Sequence, residues 1–238
     1  STWLPAHMDR VQRMYERSKN HPAIIIWSLG NEAGNGINFE RTYDWMKSVE
    51  QSRPVQYERA EQQYNTDIYC RMYRSVDELL AYAHQTSPKV YRPFIMTEYL
   101  HTMGNSGGGL KEYMEVFESE PVVQGGCIWD WVDQALYNYD PKTGDRYLAY
   151  GGDFGDKPNS GMFCMNGILF PGHQPKPQYY EVKKIYQNVG VKAVDMTKGQ
   201  IEVFNKRYFE PLTGVYMVWS LWKDGKKIEE STAFKGPR

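Results

Sequence analysis

The chain has 238 residues, room for one large domain or one and a half of ordinary size. Its 28 basic and 29 acidic residues are well mixed and leave a net charge of −1, which indicates neither a nucleic-acid surface nor a membrane patch. No apolar run approaches the ~20 residues that a membrane span needs, and the first residues do not read as a signal peptide. Cys70, Cys127 and Cys164 are widely spaced and match no zinc or disulfide framework, so they read as buried free thiols in a reducing compartment. Aromatic residues, 15% of the chain, serve cores and strand pairs as well as flat sugar-binding faces, and composition does not choose between these uses.

Taken in order, residues 8 to 19 place Met8, Val11 and Met14 on one helical face, and Asn20-His21-Pro22 ends that helix. The stretch "HPAIIIWSLGNEAGNG" (21 to 36) follows, an apolar strand over 23 to 29 that stops on Asn31-Glu32 and a Gly-Asn-Gly. Phe39, Tyr43 and Met46 give the next helical stripe and "RPVQYE" (53 to 58) the next strand. "DIYCRMY" (67 to 73) predicts a third strand, with Val76, Leu79, Leu80 and Ala83 at helical spacing behind it. "RPFIMTEY" (92 to 99) is a fourth strand, and Leu110, Tyr113, Met114 and Phe117 repeat the helical stripe. "VQGGCIWDW" (123 to 131) is a fifth, then a loop-rich stretch leads to a helix around 178 to 187.

This βα alternation predicts a parallel sheet with helices packed outside it. Glu32, Glu58, Tyr73, Glu98 and Trp129-Asp130 gather at the C-terminal strand ends, the face that carries the active site in a (β/α)8 barrel. Five strands are counted where a barrel has eight, so the expected fold is α/β, a partial (β/α)8 TIM barrel of about strands 4 to 8. From about residue 189 the pattern changes to "GQIEVFN", "GVYMVWSLW" and "KKIEEST". Val215, Met217, Trp219 and Leu221 alternate with their neighbours, and Asp224-Gly225 suits a hairpin turn. The expected domains are therefore residues 1 to 187, a barrel portion, and 188 to 238, the first strands of a β-sandwich, with the sequence cut at both ends.

Glu32 and Glu98 are the pair with chemical promise. Cleaving a glycosidic bond takes one carboxyl group to protonate the leaving oxygen and a second to attack or stabilise the anomeric carbon. Strand-end acids also cap helices or pair with Arg, and for a single Glu that bland reading has the greater weight. "HPAIIIWSLGNEAGNG", "FIMTEYLHTMGNSGGG", "GGCIWDWVDQ" and "YGGDFGDKPN…FCMNG" come in an order and length that a lone Asn-Glu lacks. With these four motifs the chain resembles the barrel domain of the β-galactosidases of glycoside hydrolase family 2, over roughly residues 1 to 187.

The resemblance implies a retaining hydrolase of terminal β-galactosides, with Glu32 as acid/base and Glu98 as nucleophile. Asn31 then bonds the sugar 2-hydroxyl, Tyr73 sits beside the nucleophile, His101 bonds galactose hydroxyls and Trp129 forms a platform under the sugar. It also implies Mg2+ touching Glu32 and Na+ held by the Phe163 carbonyl and Asn166, each ligand set being incomplete in this chain. Without the resemblance, Tyr73 reads as a core tyrosine, His101 as a structural histidine and Met72 as packing. Asp130, Asp133, Asp153 and Asp156 read as turn-closing residues, and His173 among its prolines as part of a rigid loop. A β-galactoside substrate, a homo-oligomer when full length, no nucleic-acid or membrane partner, and a cytoplasmic (alternatively periplasmic) location complete the expectation, with this chain inactive alone. The competing readings are a β-glucuronidase or β-mannosidase of the same family, or a non-catalytic carbohydrate-binding module. Uronic acid recognition would want a basic cluster, and a binding module has no need of both acids.

Overall fold

The computed structural model describes residues 1–232 and the backbone of 234 and 235. The chain divides into two compact units, Ser1–Val182 and Lys183–Arg238, the boundary falling inside a helix. The first unit alternates helix and strand: α1 (Leu4–Ser18), β1 (Trp27–Ser28), α2 (Ile37–Val49), β2 (Val55–Gln56), β3 (Tyr69–Met72), α3 (Val76–Ala83), β4 (Phe94–Tyr99), α4 (Leu110–Ser119) and β5 (Val123–Ile128). A hairpin of β6 (Leu136–Tyr139) and β7 (Arg146–Ala149) precedes α5 (Pro177–Ile185). No described helix is long and apolar enough to cross a membrane.

All five expected strands form, each shorter than its apolar run. β1 pairs parallel with β2, and β3, β4 and β5 form a parallel three-stranded sheet in that order. On its side away from β1, β2 meets no strand: Val55 O accepts Asp67 N–H at 2.8 Å, Val55 N–H donates to the Asp67 carboxylate at 2.8 Å, and Tyr57 N–H donates to Thr66 Oγ1. Asp67 also takes the Tyr43 hydroxyl at 2.7 Å and Lys47 at 2.8 Å, which tacks α2 to this junction. Burial alone would raise the Asp67 pKa, but these partners, Lys47 foremost, bring it below the usual value.

The helices cover the strands as their stripes demand. Val11 of α1, Met46 of α2, Trp27 and Val55 make one buried cluster, with Met14, Tyr15, Leu29 and Tyr43 against it. In α3, Ser75 and Glu78 form a reciprocal capping box. Along β3 to β5 the core is Cys70, Phe94, Met96, Tyr99 and Val123. A Cβ on Gly126 would meet Tyr99 and Met96 at 3.0 and 3.2 Å, and the ladder shifts register there, so the paired glycines of β5 permit close strand approach at a bulge. The expectation of buried thiols holds for Cys70 only: Cys127, on β5, is exposed, and Cys164, in the segment that follows the β6–β7 hairpin, is half-buried.

In the second unit β8 (Val189–Asp195) and β9 (Gln200–Asn205) form an antiparallel hairpin. β11 (Ser220–Lys223) and β12 (Lys226–Glu230) form another, while β10 (Tyr216–Met217) pairs with β13 (Phe234–Lys235). Asp224 (φ 49°) and Gly225 (φ 75°) make the expected two-residue turn. The expected single strand over "GVYMVWSLW" is broken after Met217: Trp219 O accepts the Ser231 N–H, and Trp219 N–H donates to the Ser231 hydroxyl. Trp219 and Leu221 are exposed, so the alternation builds no covered face among the described residues.

One buried carboxylate ties the first elements together. Glu50, at the end of α2, accepts the Ser52 hydroxyl and N–H at 2.6 and 2.8 Å, Arg53 Nε at 2.7 Å and the Trp27 indole N–H at 3.2 Å. Arg53 in turn reaches the Lys19 carbonyl past the end of α1. The Ser52 hydroxyl contributes most, and together these bonds override burial and hold the Glu50 pKa at about 2, below its ordinary 4.5. A depressed carboxylate pKa adds stability that is complete above pH ~4.5 and is lost as pH falls toward about 2. Glu50→Gln is therefore expected to lower unfolding free energy at neutral pH by about 1–3 kcal/mol and to flatten its acid limb. Urea unfolding of parent and variant across that pH range checks this; identical acid limbs would contradict it.

Candidate active site

β1 ends at Ser28, and Asn31 and Glu32 stand exposed in the turn beyond it, not on the strand as the apolar run implied. Glu32 has φ 50°, a left-handed conformation uncommon outside glycine. What holds the turn is a set of side chains from the segment after β2. The buried Glu58 carboxylate accepts the Glu32 N–H at 2.8 Å through Oε1, and the same oxygen takes Arg59 Nε at 3.1 Å. Arg59 Nη2 then lies 3.2 Å from Glu32 Oε1. Further along the turn the Tyr57 hydroxyl donates to Gly34 O, while Asn35 and the buried Asn65 bond each other through both amides.

Glu98 sits within β4, beside the end of β3. Tyr73 N–H donates to Glu98 O at 2.9 Å, continuing the β3–β4 pairing by one residue, and the Tyr73 hydroxyl donates to Glu98 Oε2 at 2.6 Å. Tyr73 too has a positive φ, 52°. Burial, the bond to Glu98, and the negative charges of Glu98, Glu32 and Asp130 all push its pKa above the usual tyrosine value. The charges that act on this phenol include those of Glu98, Glu32 and Asp130. Ring contacts extend the group: His101 packs edge-on to Tyr73 at 6.0 Å and tilted against Phe163 at 5.7 Å between centroids. Met72, opposite Glu98 in the register, is half-buried.

Trp129, half-buried, directly follows β5; its N–H bonds Tyr99 O and its carbonyl accepts Thr102 N–H. Asp130 N–H donates to Asn166 O at 2.7 Å and Ile168 N–H to Asp130 O at 2.9 Å, so the 161–169 segment is stitched to this strand end. Asp133 and Lys176, both buried, clamp the same segment. Asp133 Oδ1 takes Lys176 Nζ at 2.7 Å and Gly167 N–H at 2.8 Å. A Cβ on Gly167 would lie 2.2 Å from Asp133 N, so only glycine fits. The turn-closing role expected for aspartates holds for Asp130, Asp153 and Asp156, which accept nearby backbone N–H groups. Asp133 does more, as the anchor of a buried ion pair.

Two cations were implied, and the donors answer differently. Among the described residues no three His, Cys, Asp or Glu side chains group to hold a metal, and the cation beside Glu32 is Arg59. The residues present do not by themselves fit a magnesium site, since Mg2+ demands octahedral oxygen ligation. For a monovalent ion the fit is better: Asn166 Oδ1 is buried without a partner, and Asn166 Nδ2 reaches the Phe163 carbonyl at 3.1 Å. A buried, unpaired amide oxygen is the kind of donor a hard cation takes, although here it is the amide nitrogen of Asn166 that faces the Phe163 carbonyl.

Sequence reasoning placed Glu58 at a strand end without a task, and it missed Arg59, Asn65 and Lys176. Their common signal is weak: buried polar residues in irregular segments carry no period. The Asp133–Lys176 pair can be tested. Lys176→Met leaves the Asp133 carboxylate buried and unpaired, and a loss of about 3–5 kcal/mol is expected in urea unfolding. Adding Asp133→Asn, which removes the charge, is expected to recover part of that loss; a double variant at least as unstable as the sum of the singles would contradict the pairing.

Comparison with known proteins matches the same segment. Residues 1–191 match the family described as glycosyl hydrolases family 2, TIM barrel domain. A relative from Enterobacter cloacae, "Beta-galactosidase 2", is 44% identical over 236 residues, 95% of this chain and 23% of that protein. A Priestia megaterium "Beta-galactosidase" is 46% identical over 231 residues, 96% of this chain and 22% of its own length. The chain thus spans less than a quarter of these curated relatives. Among solved structures, a Ruminococcus gnavus β-glucuronidase superposes with TM-score 0.53 at 18% identity, over 77% of this chain and 35% of that one. An FMN-binding β-glucuronidase from Facaelibacterium prausnitzii gives 0.54 at 13%, over 98% and 40%. These two likenesses concern the fold alone, whereas the family match covers most of the chain: this chain belongs to glycosyl hydrolase family 2.

Proposed function

We propose that the chain carries the catalytic carboxylates of a retaining β-galactosidase. The observation that carries this reading is the Tyr73–Glu98 hydrogen bond of 2.6 Å at the ends of β3 and β4, with Glu32 standing past the end of the parallel strand β1. Two acids on one rim are what double displacement at an acetal carbon needs, and the relatives named above favour galactose as the sugar. Glu98 attacks the anomeric carbon as Glu32 protonates the departing oxygen; Glu32 then takes a proton from water, whose oxygen displaces Glu98. Net retention follows from the two inversions.

The other residues serve those two steps. Tyr73 donates to Glu98 and holds its attacking oxygen in line. Asn31, beside Glu32, is placed for the sugar 2-hydroxyl, a contact that strengthens in the transition state. Trp129 offers an apolar face to the sugar's C–H groups, and His101, braced by Tyr73 and Phe163, offers ring nitrogens to its hydroxyls. A sodium ion, when bound, supplies a fixed positive charge for a sugar hydroxyl, and Phe163 O and Asn166 Oδ1 are the residues that would hold it. As to architecture, the reading takes residues 1 to 187 as about strands 4 to 8 of the barrel and 188 to 238 as the opening of a β-sandwich.

The assignment of roles is tested in the full-length protein. Glu98→Gln is expected to lose several orders of magnitude in turnover and to resist labelling by a 2-fluoro-galactoside. Glu32→Gln should still be labelled when the leaving group is good, and NMR should show the β-anomer of galactose formed first. Equal behaviour of the two variants toward an activated aryl galactoside, or an α-anomer, would overturn the reading.

The 238-residue chain alone is expected to show no appreciable hydrolysis of nitrophenyl β-galactoside, with magnesium and sodium supplied. The support is the small share of its relatives that it spans. A displacement of about 1 Å at a site costs ~100-fold in rate. Turnover like that of an intact family member would refute it.

A further inference from the structure

We infer that Arg59 is a positioning residue for Glu32, fixing which carboxylate oxygen meets the leaving group; the inference rests on Glu32 being the general acid. Three observations carry it. Glu32 lies in a turn, its side chain roughly half accessible within this chain, so the described residues do not orient it by burial. Its backbone is in the left-handed region, which for a residue with a Cβ persists only where surrounding groups hold it. Those groups are present: Glu58 Oε1 takes the Glu32 N–H, and the same atom takes Arg59 Nε, so one buried oxygen sets both the turn and the guanidinium.

The consequence is geometric. Arg59 is planar and presents its donors in a rigid fork. With Nε committed to Glu58, Nη2 is aimed at Glu32 Oε1 at 3.2 Å. Oε1 is thereby engaged, and Oε2 is the oxygen left to carry a proton to the glycosidic oxygen. Glu58 keeps Arg59 in place independently of Glu32, so the anchor does not turn with the carboxylate. A neutral or shorter side chain at 59 leaves the Glu32 rotamers open and the proton misdirected for part of the time.

A residue that acts through a general acid betrays itself by leaving-group dependence. An aryl group that departs readily needs little protonation, whereas a poor one needs it fully. In the full-length enzyme, kcat/KM is measured for aryl β-galactosides from dinitrophenyl through nitrophenyl to unsubstituted phenyl, with parent, Arg59→Gln, Arg59→Lys and Glu32→Gln. Arg59→Gln is expected to lose about 10- to 100-fold on the phenyl substrate and little on the dinitrophenyl one, the pattern of Glu32→Gln at smaller amplitude. Arg59→Lys, which keeps the charge but not the fork, should fall between. A uniform loss across the series, or none, beside a leaving-group-dependent Glu32→Gln overturns the role of Arg59 while sparing that of Glu32. If Glu32→Gln itself shows no such dependence, the acid assignment falls and the inference with it. Should Arg59→Gln not fold, Arg59→Lys against the parent gives the same comparison of slopes.

Discussion

Parallel strand pairing is the constraint from which the site follows. In a parallel ladder every strand runs the same way, so the C-terminal ends of neighbouring strands emerge on one side. β1 with β2, and β3 with β4 and β5, obey it. Within each sheet, residues far apart in the chain then arrive on one side without any loop having to carry them there. The pairing even extends past the strands: Tyr73 N–H bonds Glu98 O, and Trp129 N–H bonds Tyr99 O. Each of those bonds delivers a side chain of the candidate site.

Beyond the strand ends, buried charge takes over the work of the ladder. Glu50, Glu58 and Asp133 are almost wholly buried, and each binds backbone N–H groups of a segment with no regular structure. A buried carboxylate loses much solvation, which its partners repay only when geometry is good, so such pairs add little over a well-packed apolar replacement. What they do add is direction. Glu58 chooses one place for the Glu32 turn, and Asp133 with Lys176 chooses one for the segment that bears Phe163 and Asn166. Apolar packing could cover these segments as well, but it would not fix their hydrogen-bond register.

Much of this was legible in the sequence, and the reasons differ by element. Met8, Val11 and Met14 repeat at helical spacing because a helix covers a sheet with one face, and that period survives any detail of the loops. The strands were visible as apolar runs because a parallel sheet is covered on both sides; their shortness was not, nor that on the side of β2 away from β1 Asp67 and Thr66 stand in for a neighbouring strand. The β6–β7 hairpin was hidden in a polar stretch, its exposed Leu136, Tyr137, Tyr139 and Tyr147 giving no one-sided pattern. In the second unit the turn at Asp224-Gly225 was readable because φ > 0 at two successive positions restricts residue choice. The covered face was not, because alternation states that a strand has two sides and not that something lies against either. At the site, Glu32, Tyr73 and Glu98 stood out by resemblance and by strand-end position. Arg59 and Lys176 had neither signal, since a lone basic residue in a loop is ordinarily a solvated one.

The two glutamates are held in unlike ways, and the chemistry proposed for them asks for that difference. A nucleophile needs one trajectory. Glu98 sits inside β4 with its backbone paired to the Tyr73 N–H and its carboxylate bonded to the same residue's hydroxyl, so main chain and side chain are fixed by a single partner. An acid/base must first give a proton to a leaving oxygen and later take one from water, so it has to stay accessible to both. Glu32 lies in a turn and is accessible within this chain, where a strand would have paired its backbone with neighbours. Accessibility ordinarily costs precision, because an exposed carboxylate has several rotamers. Placing Arg59 on a buried anchor, with its fork reaching out to an exposed carboxylate, restores orientation without burial. The turn at residue 32 thus joins an acid that its own strand does not bury to a partner on a buried anchor, a combination that neither a strand nor a free loop provides.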